Sequence, residues 1–154
     1  MSEMLGGKRL EEAAKGTVPV GPGALSVEQL EGILNSLPVD ITFVDADDTV
    51  RYYSETKDRI FVRSRSVIGR KVQQCHPQKS VHVVERILQE FRSGERDVAE
   101  FWIPLEDKLV HIRYFPVRAP DGRYLGTMEV TQDIAPLKKI EGEKRLLDEP
   151  GEEE

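Results

Sequence analysis

One amphipathic helix set between two blocks of β sequence constrains this chain more than any other feature. Residues 68–94 read IGRKVQQCHPQKSVHVVERILQEFRSG. From a start near Lys79 or Ser80, the residues Ser80, Val81, Val84, Ile87, Leu88 and Phe91 share one face at helical spacing. Ser93-Gly94 supplies the stop. The same stretch holds the chain's single cysteine and two of its three histidines. Any chemistry of a site is therefore expected to pass through it.

Upstream, Ser26 and Gln29 form a capping-box pattern, with Leu25 and Leu30 in the staple positions. Val27, Leu30, Leu34 and Leu37, with Ile33, make an apolar stripe that Pro38 ends, and the expectation is a docking helix that covers a sheet. Val39 to Asp45 alternates as a half-buried strand does. Asp45-Ala46-Asp47-Asp48 is turn chemistry, and Thr49 to Tyr53 completes a hairpin. The three aspartates invite calcium, but the glycine and distal glutamate of an EF-hand loop are missing. Ser54 to Ser66 is polar and basic around Ile60-Phe61-Val62 and fits short helical turns, with Arg59, Arg63, Arg65 and Arg70 read as solvated surface. Downstream, Val98 to Leu105, Leu109 to Val117 and Tyr124 to Val130 are three strands separated by turns at 104–108 and 119–122.

Composition narrows the function classes. The formal net charge is −6, and residues 141–154 carry seven acids against Lys144 and Arg145, so the remainder is nearly neutral. No basic field exists for nucleic acid or an anionic membrane. One cysteine excludes an intramolecular disulfide and a multi-cysteine zinc site. The first residues, MSEMLGGKRLEEAAKG, lack the apolar core of a signal peptide, and no run reaches membrane-spanning length, so a cytoplasmic protein is expected. Residues 1–24, a weak helix former (Lys8 to Lys15) followed by TVPVGPGA, read as a flexible N-terminal segment. No nucleophile–base pair, phosphate-binding glycine loop or paired-carboxylate site stands out, and no catalysis is expected.

The order of helix, hairpin, helical middle and three strands resembles a PAS domain; the resemblance covers roughly residues 26–147, with the domain itself expected at 25–134. Phe43-Val44-Asp45 with its tight turn and Val50, Ile68-Gly69-Arg70, and Gly126 through Asp133-Ile134-Ala135 match the motifs of that family. LPVDITFVDADD, CHPQKSVHVVE and FW…VHIRYFPVR…GTMEVTQDI are similar to the PAS module that follows hemerythrin-like domains in bacterial and archaeal proteins. The resemblance implies an α+β fold: a five-stranded antiparallel sheet with helices over one face, walling a small cavity, plus flanking N- and C-terminal helices. It also implies a sensory or interaction module that binds a small molecule or cofactor and signals through dimerisation. Ser54 stands where the family often has Asn, Asp48 where it often has Gly, and Ala135 replaces a Thr. The hemerythrin-like part is absent from this sequence, and its activity is not carried over; a protein of that kind, or a signalling protein, is a candidate partner.

Some PAS domains carry haem through a histidine on the helix that His82 occupies, so His82 is one candidate iron ligand and His76 another. The helical wheel turns His82 away from the apolar face, about 160° from its centre. His76, just before Pro77, either ligates or hydrogen-bonds backbone. Cys75 is either a thiolate sensor or an inert residue. A zinc cluster of Cys75, His76 and His82 lacks a ligand unless His111 joins it. On its strand, either Val110, Ile112 and Tyr114 face inward, or His111, Arg113 and Phe115 do; in the second case His111 and Arg113 offer positive charge to an acidic ligand. Val84, Leu88, Phe101, Ile103 and Met128 complete the candidate cavity wall, with Trp102 beside them in the core. Flavin adduct photochemistry is excluded, because Ser54 to Ser66 lacks the cysteine it requires. At the end of the chain, Leu137, Ile140 and Leu147 follow a heptad interrupted by Lys144, which predicts a linker helix over 135–147 and a disordered acidic tail over 148–154. Those three, with Leu30 and Leu34, are the candidate contacts of a homodimer.

Overall fold

The computed structural model describes residues 16–151; the possible helix from Lys8 to Lys15 and the final three glutamates lie outside them. The run expected to be a linker instead forms a small antiparallel hairpin, β1 (Val18–Val20) with β2 (Gly23–Leu25). Its valines and one turn suffice for three ladder pairs, which a reading of the prolines and glycines alone overlooks.

α1 (Val27–Ser36) starts as its sequence dictates. Ser26 Oγ accepts from Gln29 N at 3.0 Å, and Gln29 Oε1 accepts from Ser26 N at 2.9 Å. The helix does not cover the sheet as expected: Leu30, Leu34 and Leu37 are half-buried, while Val27 and Ile33 remain 60% and 48% exposed. It is fastened beside the first hairpin of the main sheet, where Asn35 Oδ1 accepts from Glu55 N at 2.8 Å.

The main sheet has five antiparallel strands in the order β4-β3-β7-β6-β5: β3 (Asp40–Asp45), β4 (Val50–Tyr53), β5 (Ala99–Leu105), β6 (Lys108–Arg118) and β7 (Tyr124–Asp133). With α1 and α2 (Gln78–Ser93), this is the α+β architecture of a PAS fold. Asp45 folds the β3–β4 turn by accepting from Asp47 N at 2.9 Å, Thr49 N at 3.1 Å and Arg51 Nε at 2.6 Å. Asp48 takes a φ of 65°, the left-handed conformation that explains why related hairpins use glycine there. At the other end of the sheet Asp133 Oδ1 accepts from Leu109 N at 3.1 Å and Ala135 N at 3.0 Å, closing β7 against β6.

Register decides which side chains share a face. Ala99, Tyr114, Glu129, Thr42 and Tyr53 are successive partners across all five strands, so they form one row on one face. α2 packs on that face through Ile87 and Phe91, against Ala99, Tyr114 and Tyr124. The central strands therefore turn their polar residues inward: Asp40 and Thr42 on β3, and Thr127, Glu129 and Thr131 on β7. Four of these are at least 93% buried: Asp40, Thr42, Thr127 and Thr131. The apolar alternates Ile41, Phe43, Met128 and Val130 occupy the outer face, where Ile41 and Val130 are also buried.

The linker helix expected over 135–147 is absent. Two 3₁₀ turns, Leu137–Lys139 and Leu146–Asp148, take its place. Two heptads form only a marginal helix without a partner to bury their seam, and Gly142, with a φ of 64°, interrupts this one. Leu137, Ile140 and Leu147 are consequently 49%, 69% and 77% exposed. Among the described residues, no helix is long and apolar enough to cross a membrane.

β7 approaches β3 so closely at Gly126 (φ 151°) that a Cβ there would collide with the Val44 carbonyl oxygen and lie 2.8 Å from the Phe43 ring. The carbonyl belongs to the backbone of a central strand and cannot swing aside. Gly126→Ala is expected to destabilise the fold by at least ~2 kcal/mol, read from the midpoint of urea denaturation; an unchanged midpoint would disprove this packing constraint.

Candidate functional site

Between α2 and the inner face of the sheet lies a cavity of about 60 Å³. Its walls are mainly aliphatic: Val44 and Val50 from the hairpin, Val67 and Val72 from the segment before α2, and Val84, Ile87 and Leu88 from α2. Polar groups enter on two sides. Thr42, Thr127, Glu129 and Tyr114 form the sheet floor with Arg63 beside them, and Cys75 and His76 stand at the start of the helix.

Backbone pairing to the hairpin holds the segment before α2 in place. Val50 N donates to Arg70 O at 2.9 Å, Gly69 N to Val50 O at 2.8 Å and Val72 N to Asp48 O at 2.8 Å. The C-terminal end of α2 is also fastened. Gly94 closes it with a φ of 84°, the Arg118 guanidinium donates to Phe91 O, and Arg92 pairs with Asp48 while stacking on Tyr124. At the opposite end Pro77 is the N-cap and makes no side-chain capping bond, so the helix begins at Gln78, a little earlier than its apolar pattern suggests.

The floor depends on charges and dipoles brought from distant parts of the sequence. Arg63 Nη2 donates to Glu129 Oε1 at 3.0 Å, and Tyr114 is the cross-strand neighbour of the same carboxylate. The Arg63 Nε is buried and has no partner. Arg59 is half-buried in a nest of oxygens: it donates to Ser54 O at 2.8 Å, Thr42 Oγ1 at 2.8 Å and Phe61 O at 2.9 Å. Burial holds its pKa below the ordinary arginine value, against the attraction of Asp40. Asp40 accepts from Ile60 N at 2.8 Å and from Thr56 Oγ1, and the fully buried Ser54 accepts from Ile41 N at 2.9 Å through its Oγ. Thr127 Oγ1 is bonded to the Tyr124 hydroxyl at 2.7 Å.

Of the residues singled out from sequence, Cys75, His76, Val84 and Leu88 meet at the cavity. His76 donates from Nδ1 to Val72 O at 2.9 Å, so its ring is tied to the backbone of the segment before α2. His82 is on the exposed side of α2 and is not part of the cavity wall. Strand register resolves the choice on β6 in favour of Val110 and Tyr114 facing inward. His111 and Arg113 are thereby corrected to the outer face, where His111 Nε2 is 2.9 Å from Glu100 and Arg113 stacks on Phe115. Met128 is also on the outer face, between Phe43 and Phe115. Phe101 and Ile103 share the inner face but lie on edge strand β5, 42% and 43% exposed and outside the cavity; Phe101 meets Tyr114 edge to face at 6.0 Å. Trp102, read as core, is 61% exposed.

Of the four residues of the zinc reading, Cys75 and His76 line the cavity, while His82 lies on the exposed side of α2 and His111 on the outer face of the sheet. Among the described residues, no three His, Cys, Asp or Glu side chains are placed to hold a metal ion. The aspartates of the calcium reading serve the turn and the pair with Arg92. Arg59, Arg63 and Glu129 are what the sequence reading missed. The one available signal was the inward polar alternation of β7, which resembles a solvent face.

The PAS domain family matches residues 30–135, and this chain belongs to it. It is 38% identical to the C-terminal domain of a protein from Streptococcus mutans, covering 81% of this chain and 97% of that one with a TM-score of 0.77. The PAS domain of a Colwellia psychrerythraea protein is 13% identical (71% and 98% covered, TM-score 0.51). The PAS domain of Bordetella pertussis BvgS is 16% identical (73% and 92% covered, TM-score 0.53) and, like the former, attests the fold alone. No curated protein matches. PAS domains commonly act as sensory modules.

The Tyr114 phenol reports on this floor. Burial first, and then the Glu129 carboxylate, push its pKa well above the ordinary value near 10. The folded state holds the proton that the unfolded chain releases, so this contribution to stability is complete below about pH 10 and is lost as pH rises above it. Tyr114→Phe is expected to reduce the alkaline loss of stability. The check is a set of urea midpoints on both sides of about pH 10; parallel curves for variant and parent would refute the assignment.

Proposed function

We propose that this chain is a non-catalytic PAS sensor that binds a small molecule in the cavity between α2 and the sheet. The observation that carries this reading is the cavity itself, aliphatic on most of its wall with a few polar groups converging on its floor. A ligand there touches Val84 and Leu88 on the helix and the floor of the sheet at once, so occupancy can be felt by both layers. The reading places the protein in the cytoplasm, in keeping with its reduced-type cysteine content. Its output is a homodimer built on Leu30 and Leu34 of α1 and on Leu137, Ile140 and Leu147, whose exposure leaves apolar surface for a second copy. The proposed partner is a hemerythrin-like or signalling protein, because of the sequence blocks shared with modules that follow hemerythrin-like domains.

The geometry favours a small ligand over haem. About 60 Å³ is far below the roughly 300–1,000 Å³ of pockets that hold drug-sized molecules, and His82 points away. Thermal-shift screening of a metabolite set with native mass spectrometry tests the reading. Compounds that raise the Tm of the parent are expected to lose that effect in Val84→Phe, which fills the cavity while keeping a cooperative transition. Equal shifts in both proteins would place the ligand elsewhere.

A further inference from the structure

Building on the reading of the cavity as a ligand site, we infer that its ligand is small, uncharged and mainly aliphatic, with one oxygen that accepts a hydrogen bond, as in a short-chain alcohol or ketone. The size is set by the cavity, whose 60 Å³ holds only a handful of water-sized units at about 10–15 Å³ each. Aliphatic character follows from walls contributed by three separate stretches, the hairpin, the segment before α2 and α2 itself.

Neutrality follows from the floor. Arg63 and Glu129 already compensate each other through a 3.0 Å ion pair, and their side chains are only 27% and 15% exposed. An anion entering beside them meets the Glu129 carboxylate, and a cation meets the Arg63 guanidinium. Either brings an unbalanced charge into a largely apolar space. A neutral molecule incurs neither penalty.

The oxygen follows from hydrogen-bond accounting. Thr42 Oγ1 is engaged by Arg59, Thr127 Oγ1 by Tyr124, and His76 Nδ1 by Val72 O. Arg63 lines the cavity and carries a buried donor, its Nε, that nothing meets. Nε and Nη2 lie on the same edge of a guanidinium, so Glu129 uses one half of that edge and leaves the other open. A carbonyl or hydroxyl oxygen accepting from Nε would satisfy it without displacing Glu129.

A matched set of probes tests this in the full chain: 1-butanol, 2-butanone, butyrate, butylammonium and xenon, followed by ¹H–¹⁵N NMR of the Arg63 Nε–H and the amides of Val84 and Leu88. The alcohol and ketone are expected to shift these signals saturably, at concentrations at least about tenfold lower than either ion requires. Arg63→Lys is expected to weaken the alcohol by about threefold or more while leaving xenon entry intact, which also reports that the variant has kept its fold. Butyrate or butylammonium binding as well as butanol would overturn the neutral class and leave the cavity as a ligand site. Xenon entering without any response to alcohol or ketone would overturn the role of Arg63 Nε. Silence from all five probes, xenon included, would overturn both the inference and the ligand-site reading on which it rests.

Discussion

The structure depends on burying a polar stripe. β3 and β7 are the two strands with neighbours on both sides nearest the hairpin, and they aim Asp40, Thr42, Thr127, Glu129 and Thr131 at the helical layer. Burying such groups without partners costs of the order of 1–3 kcal/mol each, more than a small domain can sustain repeatedly. Most of the stripe is therefore met by the loop between β4 and α2. Arg59 serves Thr42, Ile60 N and Thr56 serve Asp40, and Arg63 serves Glu129. The loop has little regular structure of its own because its order comes from these bonds. Removing Arg63 would leave a half-buried carboxylate with Tyr114 as its cross-strand neighbour, at a cost below the ~3–5 kcal/mol of a fully buried pair because both groups retain some solvent.

The same economy explains how the cavity persists. α2 is pinned at its C-terminal end by Arg118, by Arg92 and by the packing of Phe91, which is fully buried. The preceding segment is pinned to β4 by the backbone pairs at Gly69 to Val72. With both anchors on the hairpin side and the floor held by Arg63, the span from Val84 to Leu88 bridges a gap that it does not fill. Interiors normally close such gaps, since lining atoms without neighbours forgo dispersion energy. Here closure would require moving anchors that satisfy buried polar groups, and that is the more expensive change.

Elements whose determinants are local could be read from sequence. The Ser26–Gln29 capping box, the Asp45 turn, the Ser93-Gly94 stop and the exposed placement of His82 each depend on neighbours within a few residues, and they appear where their spacing puts them. The inner face of β6 was not legible, because both of its alternating sets mix apolar and polar residues and only the pairing of Tyr114 with Glu129 and Ala99 selects between them. Met128 was misplaced for the related reason that the inward stripe of β7 has the composition of a solvent face. The linker helix failed on a third ground: a heptad pattern states what a helix would bury, and among the described residues its seam stays open, with Leu137, Ile140 and Leu147 49%, 69% and 77% exposed. For Arg63 and Glu129, 66 residues apart, no local pattern exists at all.

Two central strands, β3 and β7, that turn most of their polar alternates inward and apolar ones outward invert the ordinary rule, and the inversion is informative about function. Natural sequences break local consistency where something other than stability is being selected. The outer alternates Ile41 and Val130 are buried although α1 buries no residue fully, so the outer face retains partly open apolar surface around Phe43, Met128 and Phe115. The inner face, by contrast, spends its polar groups on a small space, and two buried groups of this layer, Thr131 Oγ1 and Arg63 Nε, are left unmet, the second on a residue that lines the cavity. An unmet buried donor raises the free energy of the fold, so a molecule that met it would stabilise the folded state by mass action in proportion to its occupancy. On the proposed reading, a ligand of this cavity would be coupled to the same bonds that order the loop, and such coupling would need no catalytic group.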